Sequence, residues 1–233
     1  EIRRSFYLLL KMAKEKEASA ALLLDYPGFN LRLARQLHNR GIPVIYYISP
    51  QVWAWKEGRV NLIRKVVQKM LVVLPFEKAF YEKRGVNAEF VGHPILDEWP
   101  SLELTPDKRK LARQHLGVKE DEFLLGLLPG SRHGELKYIL ETQIKAAQQV
   151  LQGEKRVRVL LLVAPNLTVD EVKAYLPKGF DLPIRLVKDE PLNIMQACDA
   201  CLVASGTATL MTALAGTPMV IMYRSAALSV MLG

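Results

Sequence analysis

The chain has 233 residues, half of them apolar, with a net charge of +8 and an isoelectric point near 9.5. That length supports one large domain or two small ones around a sizeable core, and the basic balance favours anionic partners: phosphates, nucleic acid or anionic lipid headgroups. Two cysteines exclude a disulfide framework and point to the cytoplasm, and no apolar run reaches the roughly 18–20 residues that span a bilayer.

The opening Phe6-Tyr7-Leu8-Leu9-Leu10 stretch, set among Arg and Lys, lacks the clean apolar core and small-residue cleavage site of a signal peptide. Starting at Glu1 and stopping after the apolar run 226–232, the chain reads as an internal fragment of a longer protein.

Apolar runs of four to seven residues then alternate with helical patterns. Residues 1–17 predict a basic amphipathic helix, and Ala20 to Leu24 a short strand ending at Asp25. Pro27 and Gly28 predict a break, followed by a helix from Leu31 to Asn39 closed by Gly41. A strand from Pro43 to Ile48, a helix from Arg59 to Lys69 and a strand from Met70 to Leu74 come next. A helix from Glu77 to Lys83 and a strand from Ala88 to Val91 complete the first half.

Residues 93–122 differ, being Pro-rich and charged, with one short helix expected over Asp107 to Leu116. Alternation resumes with a strand at Phe123 to Leu128, a helix at Glu135 to Leu151, a strand at Arg156 to Val163 and a helix at Val169 to Tyr175. A strand at Ile184 to Leu186 and a helix at Leu192 to Ala197 follow. The last elements are a strand at Cys201 to Ala204, a helix at Ala208 to Ala215 and a strand at Met219 to Tyr223.

Such βαβ alternation with nearly continuous apolar strands implies an α/β fold of parallel sheets covered on both faces. The simplest arrangement is two Rossmann-like domains, 1–97 and 123–233, joined by 98–122 as linker and domain entry. Ligands in such sheets bind beyond the carboxyl ends of the strands.

Two segments at strand ends suit an anion. In Leu127-Leu128-Pro129-Gly130-Ser131-Arg132-His133-Gly134-Glu135, a strand runs through a glycine turn into a helix start. Free N–H groups there favour a phosphate, and Arg132 adds a bidentate donor. An ordinary strand–helix turn with a surface arginine fits equally well. Val203-Ala204-Ser205-Gly206-Thr207-Ala208-Thr209 repeats the design, with helix capping by Ser205 and Thr207 as the plain alternative. Together the two loops favour a nucleotide-sugar diphosphate over a lone ion.

Asp25, at the end of the first strand, is placed either as a general base or as a turn-forming residue. The aromatic-rich Tyr46-Tyr47-Ile48-Ser49-Pro50-Gln51-Val52-Trp53-Ala54-Trp55 suits either an acyl or sugar pocket or simple core packing. Cys198 and Cys201 bridge a helix end and a strand, unlike a redox pair that opens a helix, and read as core thiols. The four histidines show no metal-ligand spacing, and there is no Walker A or GxGxxG sequence. No helix carries a basic stripe interleaved with base-stacking aromatics, which argues against nucleic acid.

The order of these motifs resembles the lipid-A-disaccharide synthase family, members of which have the GT-B fold. Asp25-Tyr26-Pro27-Gly28-Phe29-Asn30, Ser49-Pro50-Gln51-Val52-Trp53-Ala54-Trp55, Leu74-Pro75-Phe76-Glu77 and Phe90-Val91-Gly92-His93-Pro94 are similar to its N-domain. Leu128-Pro129-Gly130-Ser131-Arg132 and Ala204-Ser205-Gly206-Thr207-Ala208-Thr209-Leu210 are similar to its C-domain.

The resemblance implies an inverting, metal-independent transfer of 2,3-diacylglucosamine from UDP to the 6-hydroxyl of 2,3-diacylglucosamine 1-phosphate, with no cofactor, at the cytoplasmic face of the inner membrane. It implies Asp25 and Arg132 as catalytic residues. It gives the UDP-sugar site as Gly130, Ser131, Arg132, Glu135, Ser205, Gly206, Thr207 and Ala208, and the acceptor or acyl pocket as Asn30, Ser49, Gln51, Trp53 and Trp55.

In the family a glutamate that grips the ribose follows the Ser-Gly-Thr run; here Met211 stands there, which implies weaker UDP affinity. The family's glycine-rich N-terminal segment is missing too, so the fragment alone is expected to be inactive. Basic residues flanking apolar ones (Arg3, Arg4, Lys11 and Lys14, or Lys56, Arg59, Arg64 and Lys65) suit an anionic membrane surface or a solvated face. A UDP-N-acetylglucosamine 2-epimerase, which would be an isomerase, and a non-catalytic UDP-binding homologue are the rival readings.

Overall fold

The computed structural model describes residues 1–97, 105–154, 156–177, 183–188 and 190–224. Pro100 in the expected linker and the terminal apolar run 226–232 lie outside them. The chain divides into two compact units, Glu1–Pro100 and Ser101–Gly233.

In the first unit, helix α1 (Ile2–Glu15) leads to β1 (Ala21–Leu24), α2 (Pro27–His38) and β2 (Val44–Tyr47). A 3-10 turn (Glu57–Arg59) and α3 (Val60–Val66) precede β3 (Lys69–Val72), α4 (Pro75–Glu82) and β4 (Ala88–Phe90). The four strands form a parallel sheet in the order β1-β2-β3-β4. Val44 and Tyr46 alternate inward on β2, as do Met70 and Val72 on β3. They pack against Leu33, Ala34 and Leu37 of α2 and Ile63 of α3 in one core.

α1 buries only Leu10. Ile2, Tyr7, Leu8, Leu9 and Met12 are exposed among its basic residues. No described helix is long and apolar enough to cross a membrane.

The second unit begins with α5 (Pro106–His115) and β5 (Phe123–Leu128). A helical run then comes in three stretches, α6 (His133–Glu135), a π-helical Leu136–Leu140 and α7 (Glu141–Gly153). It continues through β6 (Val157–Leu162), α8 (Val169–Lys173), β7 (Ile184–Val187), α9 (Pro191–Ala197), β8 (Ala200–Ala204), α10 (Thr207–Leu214) and β9 (Met219–Met222). The parallel order is β7-β6-β5-β8-β9. From β5 the chain first builds outward through β6 and β7, then returns to lay β8 on the other side. The strand order therefore reverses between β5 and β8, and open α/β sheets take ligands beyond the carboxyl ends of the strands at such a point.

β5 is buried on both faces, which explains its unbroken apolar sequence. Leu124 and Leu128 face one core layer and Leu125 and Leu127 the other. Gly126 faces the two cysteines: a Cβ there would sit 2.9 Å from both Sγ atoms. Cys198 and Cys201 are thus buried core thiols. The hydrogen bond the Cys198 thiol makes to Cys201, together with burial, pushes it far above its usual range, away from reactivity.

Several boundaries shift. Four helices start at a proline that the sequence placed in the preceding loop: Pro27, Pro75, Pro106 and Pro191. Proline fixes a helical φ and lacks an N–H that would go unpaired in the first turn, so it opens helices rather than breaking them. Pro27 and Gly28 are therefore the start of α2. Lys69 belongs to β3, where it pairs with Ile45 across the sheet.

α5 docks on the rest of the second unit through Asp199. The Asp199 carboxylate accepts from Arg109 Nη2 (2.5 Å), Arg113 Nη1 (2.9 Å) and the Leu124 N–H (2.7 Å). Burial works to raise its pKa, but the Leu124 N–H and the two guanidiniums outweigh it and hold the carboxyl below its ordinary value. A depressed carboxyl stabilises the fold above the unfolded-state pKa, about 3.9, and that contribution vanishes as pH falls through the folded-state value. Urea unfolding of the protein between about pH 5 and pH 2 should show this loss, and Asp199→Asn should flatten it. An unchanged pH profile in the variant would contradict the assignment.

Candidate active site

In the first unit the site starts from backbone strain. Asp25 (φ +44°), Tyr26 (φ +44°) and Ile48 (φ +60°) all adopt left-handed conformations. For a β-branched isoleucine this is a rare state, and such strain gathers at functional sites. These residues follow the neighbouring strands β1 and β2, where Leu24 pairs with Tyr47. The turn is held by its own carbonyls. Tyr46 Oη donates to the Asp25 carbonyl (2.5 Å), and Asn30 Nδ2 donates to the carbonyls of Leu24 and Asp25 (2.8 Å each). Burial and the nearby Asp25 charge raise the Tyr46 pKa far above the usual phenol, so it stays a donor. The Asp25 side chain itself is exposed, with no ion pair among the described residues.

The aromatic segment that follows is organised from beneath by Glu77, which is 1 % exposed. Glu77 Oε1 accepts from Ser49 Oγ (2.7 Å) and Trp53 Nε1 (3.1 Å), while Oε2 accepts from the Leu74 N–H (3.0 Å). Tyr81 Oη adds a bond to the Pro50 carbonyl (2.8 Å). Ser49 thus faces the interior. Gln51, Trp53 (38 % exposed) and Trp55 (50 %) reach the surface. Trp53 meets Phe76 edge-on at 5.0 Å, and Lys56 lies over the Trp55 ring.

In the second unit the structure sets the two small-residue loops side by side, because Leu128 of β5 pairs with Val203 of β8. The buried Gln143 ties these strands together below the loops, donating from Nε2 to the carbonyls of Leu128 (3.1 Å) and Leu202 (3.0 Å). Asn166 Nδ2 donates to the Ser131 carbonyl (2.8 Å) and fixes the first loop. Gly130 has φ +109°, a conformation suited to glycine, and the Arg132 side chain is 83 % exposed.

The loops differ in one respect. The carboxylate of Glu135 already accepts from the Ser131 N–H (2.8 Å) and the Arg132 N–H (3.2 Å). At α10 no side chain caps the helix start; Thr209 Oγ1 turns back to the Gly206 carbonyl (2.6 Å), and the Ser205 N–H is spent on Met222 (2.8 Å). Ser205 and Thr207 therefore do not cap α10, and the N–H groups of Thr207 and Ala208 at its start have no hydrogen-bond partner among the described residues. Met211 packs partly against the core. No cluster of three or more His, Cys, Asp or Glu placed to hold a metal occurs among the described residues.

Sequence reading assigns no role to Gln143 or Asn166, and names Glu77 and Tyr46 only as members of motifs. Two of them carried a signal. Glu77 stands at the third position of a helix begun by Pro75, where a carboxylate reaches back to the preceding backbone. Gln143 interrupts an apolar stripe at helical spacing.

Two parallel α/β sheets with helices between their strands give the chain the GT-B fold. Solved structures of that class align with the chain: a S. aureus MnaA–UDP complex (TM-score 0.63, 12 % identity, 97 % of this chain and 64 % of that one) and a Neisseria meningitidis UDP-GlcNAc 2-epimerase bound to UDP-GlcNAc (0.61, 13 %, 94 % and 63 %). At that identity they show the fold alone.

The family model for lipid-A-disaccharide synthetase matches residues 2–233, and the chain belongs to that family. It is 43 % identical to the lipid-A-disaccharide synthase of Nitrosococcus oceani over its whole length, covering 59 % of that protein. It is 42 % identical to that of Trichlorobacter lovleyi over 96 % of the chain and 57 % of that protein. The chain thus spans less than two thirds of the length of these relatives.

Proposed function

We propose that the full-length protein is an inverting glycosyltransferase that joins UDP-2,3-diacylglucosamine to 2,3-diacylglucosamine 1-phosphate, forming lipid A disaccharide 1-phosphate and UDP. One observation carries the reading. A chain of this family presents two anion-suited loops at neighbouring strand ends, at the reversal point of the second sheet.

Asp25 takes the proton of the acceptor 6-hydroxyl as that oxygen attacks the anomeric carbon of the donor sugar. The bond from that carbon to the β-phosphate oxygen breaks, and its electron pair leaves with UDP. Arg132 and the loop N–H groups stabilise the charge that develops on the departing diphosphate. With Met211 at the fifth position of α10, no charged acceptor is offered there to the ribose.

Titration calorimetry of the full-length protein tests the donor half. UDP should bind, and Arg132→Ala should weaken it by roughly 10–100-fold, the worth of a charge-assisted pair. Equal affinity in the variant would remove Arg132 from the site.

A further inference from the structure

The Glu135 carboxylate sits where the proposed ligand would place its phosphate. It holds the N–H groups of Ser131 and Arg132, and its other oxygen lies 3.2 Å from Arg132 Nη1. Both of these backbone donors, and one guanidinium nitrogen, are thus engaged by an anion from the protein itself. The space for it exists because residue 130 is glycine: a Cβ there would collide with the Glu135 carboxylate. Among the described residues, no side chain caps the adjoining loop at the start of α10.

We propose that Glu135 is a place-holder, a built-in competitor that a nucleoside diphosphate displaces, so that this residue lowers UDP affinity instead of contributing to it. The inference rests on the UDP-sugar reading above and assigns Glu135 a role opposite to that of a ligand-gripping residue.

Like charge is the physical reason. A carboxylate and a diphosphate cannot share two N–H groups and one guanidinium in the same small space. The loop does not depend on Glu135 for its shape. Asn166 holds the Ser131 carbonyl, Gln143 holds that of Leu128, and the Tyr175 hydroxyl meets His133 Nδ1 (3.3 Å) at the first helical residue. Displacing the carboxylate leaves the N–H groups in position.

While Glu135 occupies them, only the fraction of molecules with the side chain swung out is competent. Apparent affinity is reduced by that fraction. The same contact caps the helix start and stabilises the ligand-free fold.

The two effects have opposite signs, and this separates a place-holder from a residue that is merely structural. Calorimetric titration of UDP into full-length wild type, Glu135→Ala and Glu135→Gln should be paired with thermal unfolding without ligand. Glu135→Ala should bind UDP about tenfold tighter and unfold at a lower temperature. Glu135→Gln, which keeps an oxygen acceptor but loses the charge, should bind about threefold tighter. If wild type binds UDP and both variants bind it equally or more weakly, the inference is overturned while the UDP-sugar reading stands. If neither wild type nor Glu135→Ala binds UDP, both fall together.

Discussion

Asp25→Asn in the full-length protein should lower disaccharide formation by about 10²–10⁴-fold, the usual contribution of a general base, while leaving UDP affinity unchanged. The substitution isolates chemistry from structure. The left-handed backbone at Asp25 (φ +44°) is one that asparagine tolerates well. The bonds that hold the turn, from Tyr46 and Asn30, go to carbonyls and not to the side chain. Loss of turnover with intact folding and UDP binding therefore reports on the carboxylate alone. Turnover within a few-fold of wild type would remove Asp25 from catalysis and leave its strain unexplained.

Glu77→Ala should be the most destabilising substitution in the first unit, costing roughly 3 kcal/mol in urea unfolding, because three buried or half-buried donors lose one acceptor group. Among the described residues no cation pairs with this carboxylate; Ser49, Trp53 and Leu74 donate to it. Glu77→Gln should cost about 1–3 kcal/mol, since one carboxylate oxygen becomes an NH₂ that faces a donor whichever way the amide turns. Trp53 gives a local readout, because its indole N–H is released in Glu77→Ala and its fluorescence should change even in the folded protein. Wild-type stability in Glu77→Ala would show that the aromatic segment is held by Tyr81 and core packing instead.

These residues also mark how far sequence alone reaches. Phe123–Leu128 was expected as a strand and is one, to the residue, because a strand buried on both faces has an uninterrupted apolar sequence. The helices preceded by proline were each expected to begin one to four residues late, since proline interrupts an apolar period while favouring the first helical turn. The two loops were legible because glycine, serine and threonine after an apolar strand have few other uses.

What stayed hidden is long-range or conformational. Glu77 meets Ser49 across 28 positions, and Gln143 meets Leu202 across 59. Glu135 was expected to grip the donor. That it turns back onto the Ser131 and Arg132 N–H groups is the same third-position cap that Glu77 makes, and it shows only once the helix start at His133 is known. The strain at Ile48 has the same character, arising where β2 ends and its chain turns toward the segment pinned by Glu77.

The most direct test is product analysis of the full-length protein given UDP-2,3-diacylglucosamine with and without 2,3-diacylglucosamine 1-phosphate. The tetraacyl disaccharide phosphate and UDP should form in equal amounts, and only when both lipids are present. Epimerised UDP-sugar without acceptor, or UDP binding with no product from either mixture, would contradict it.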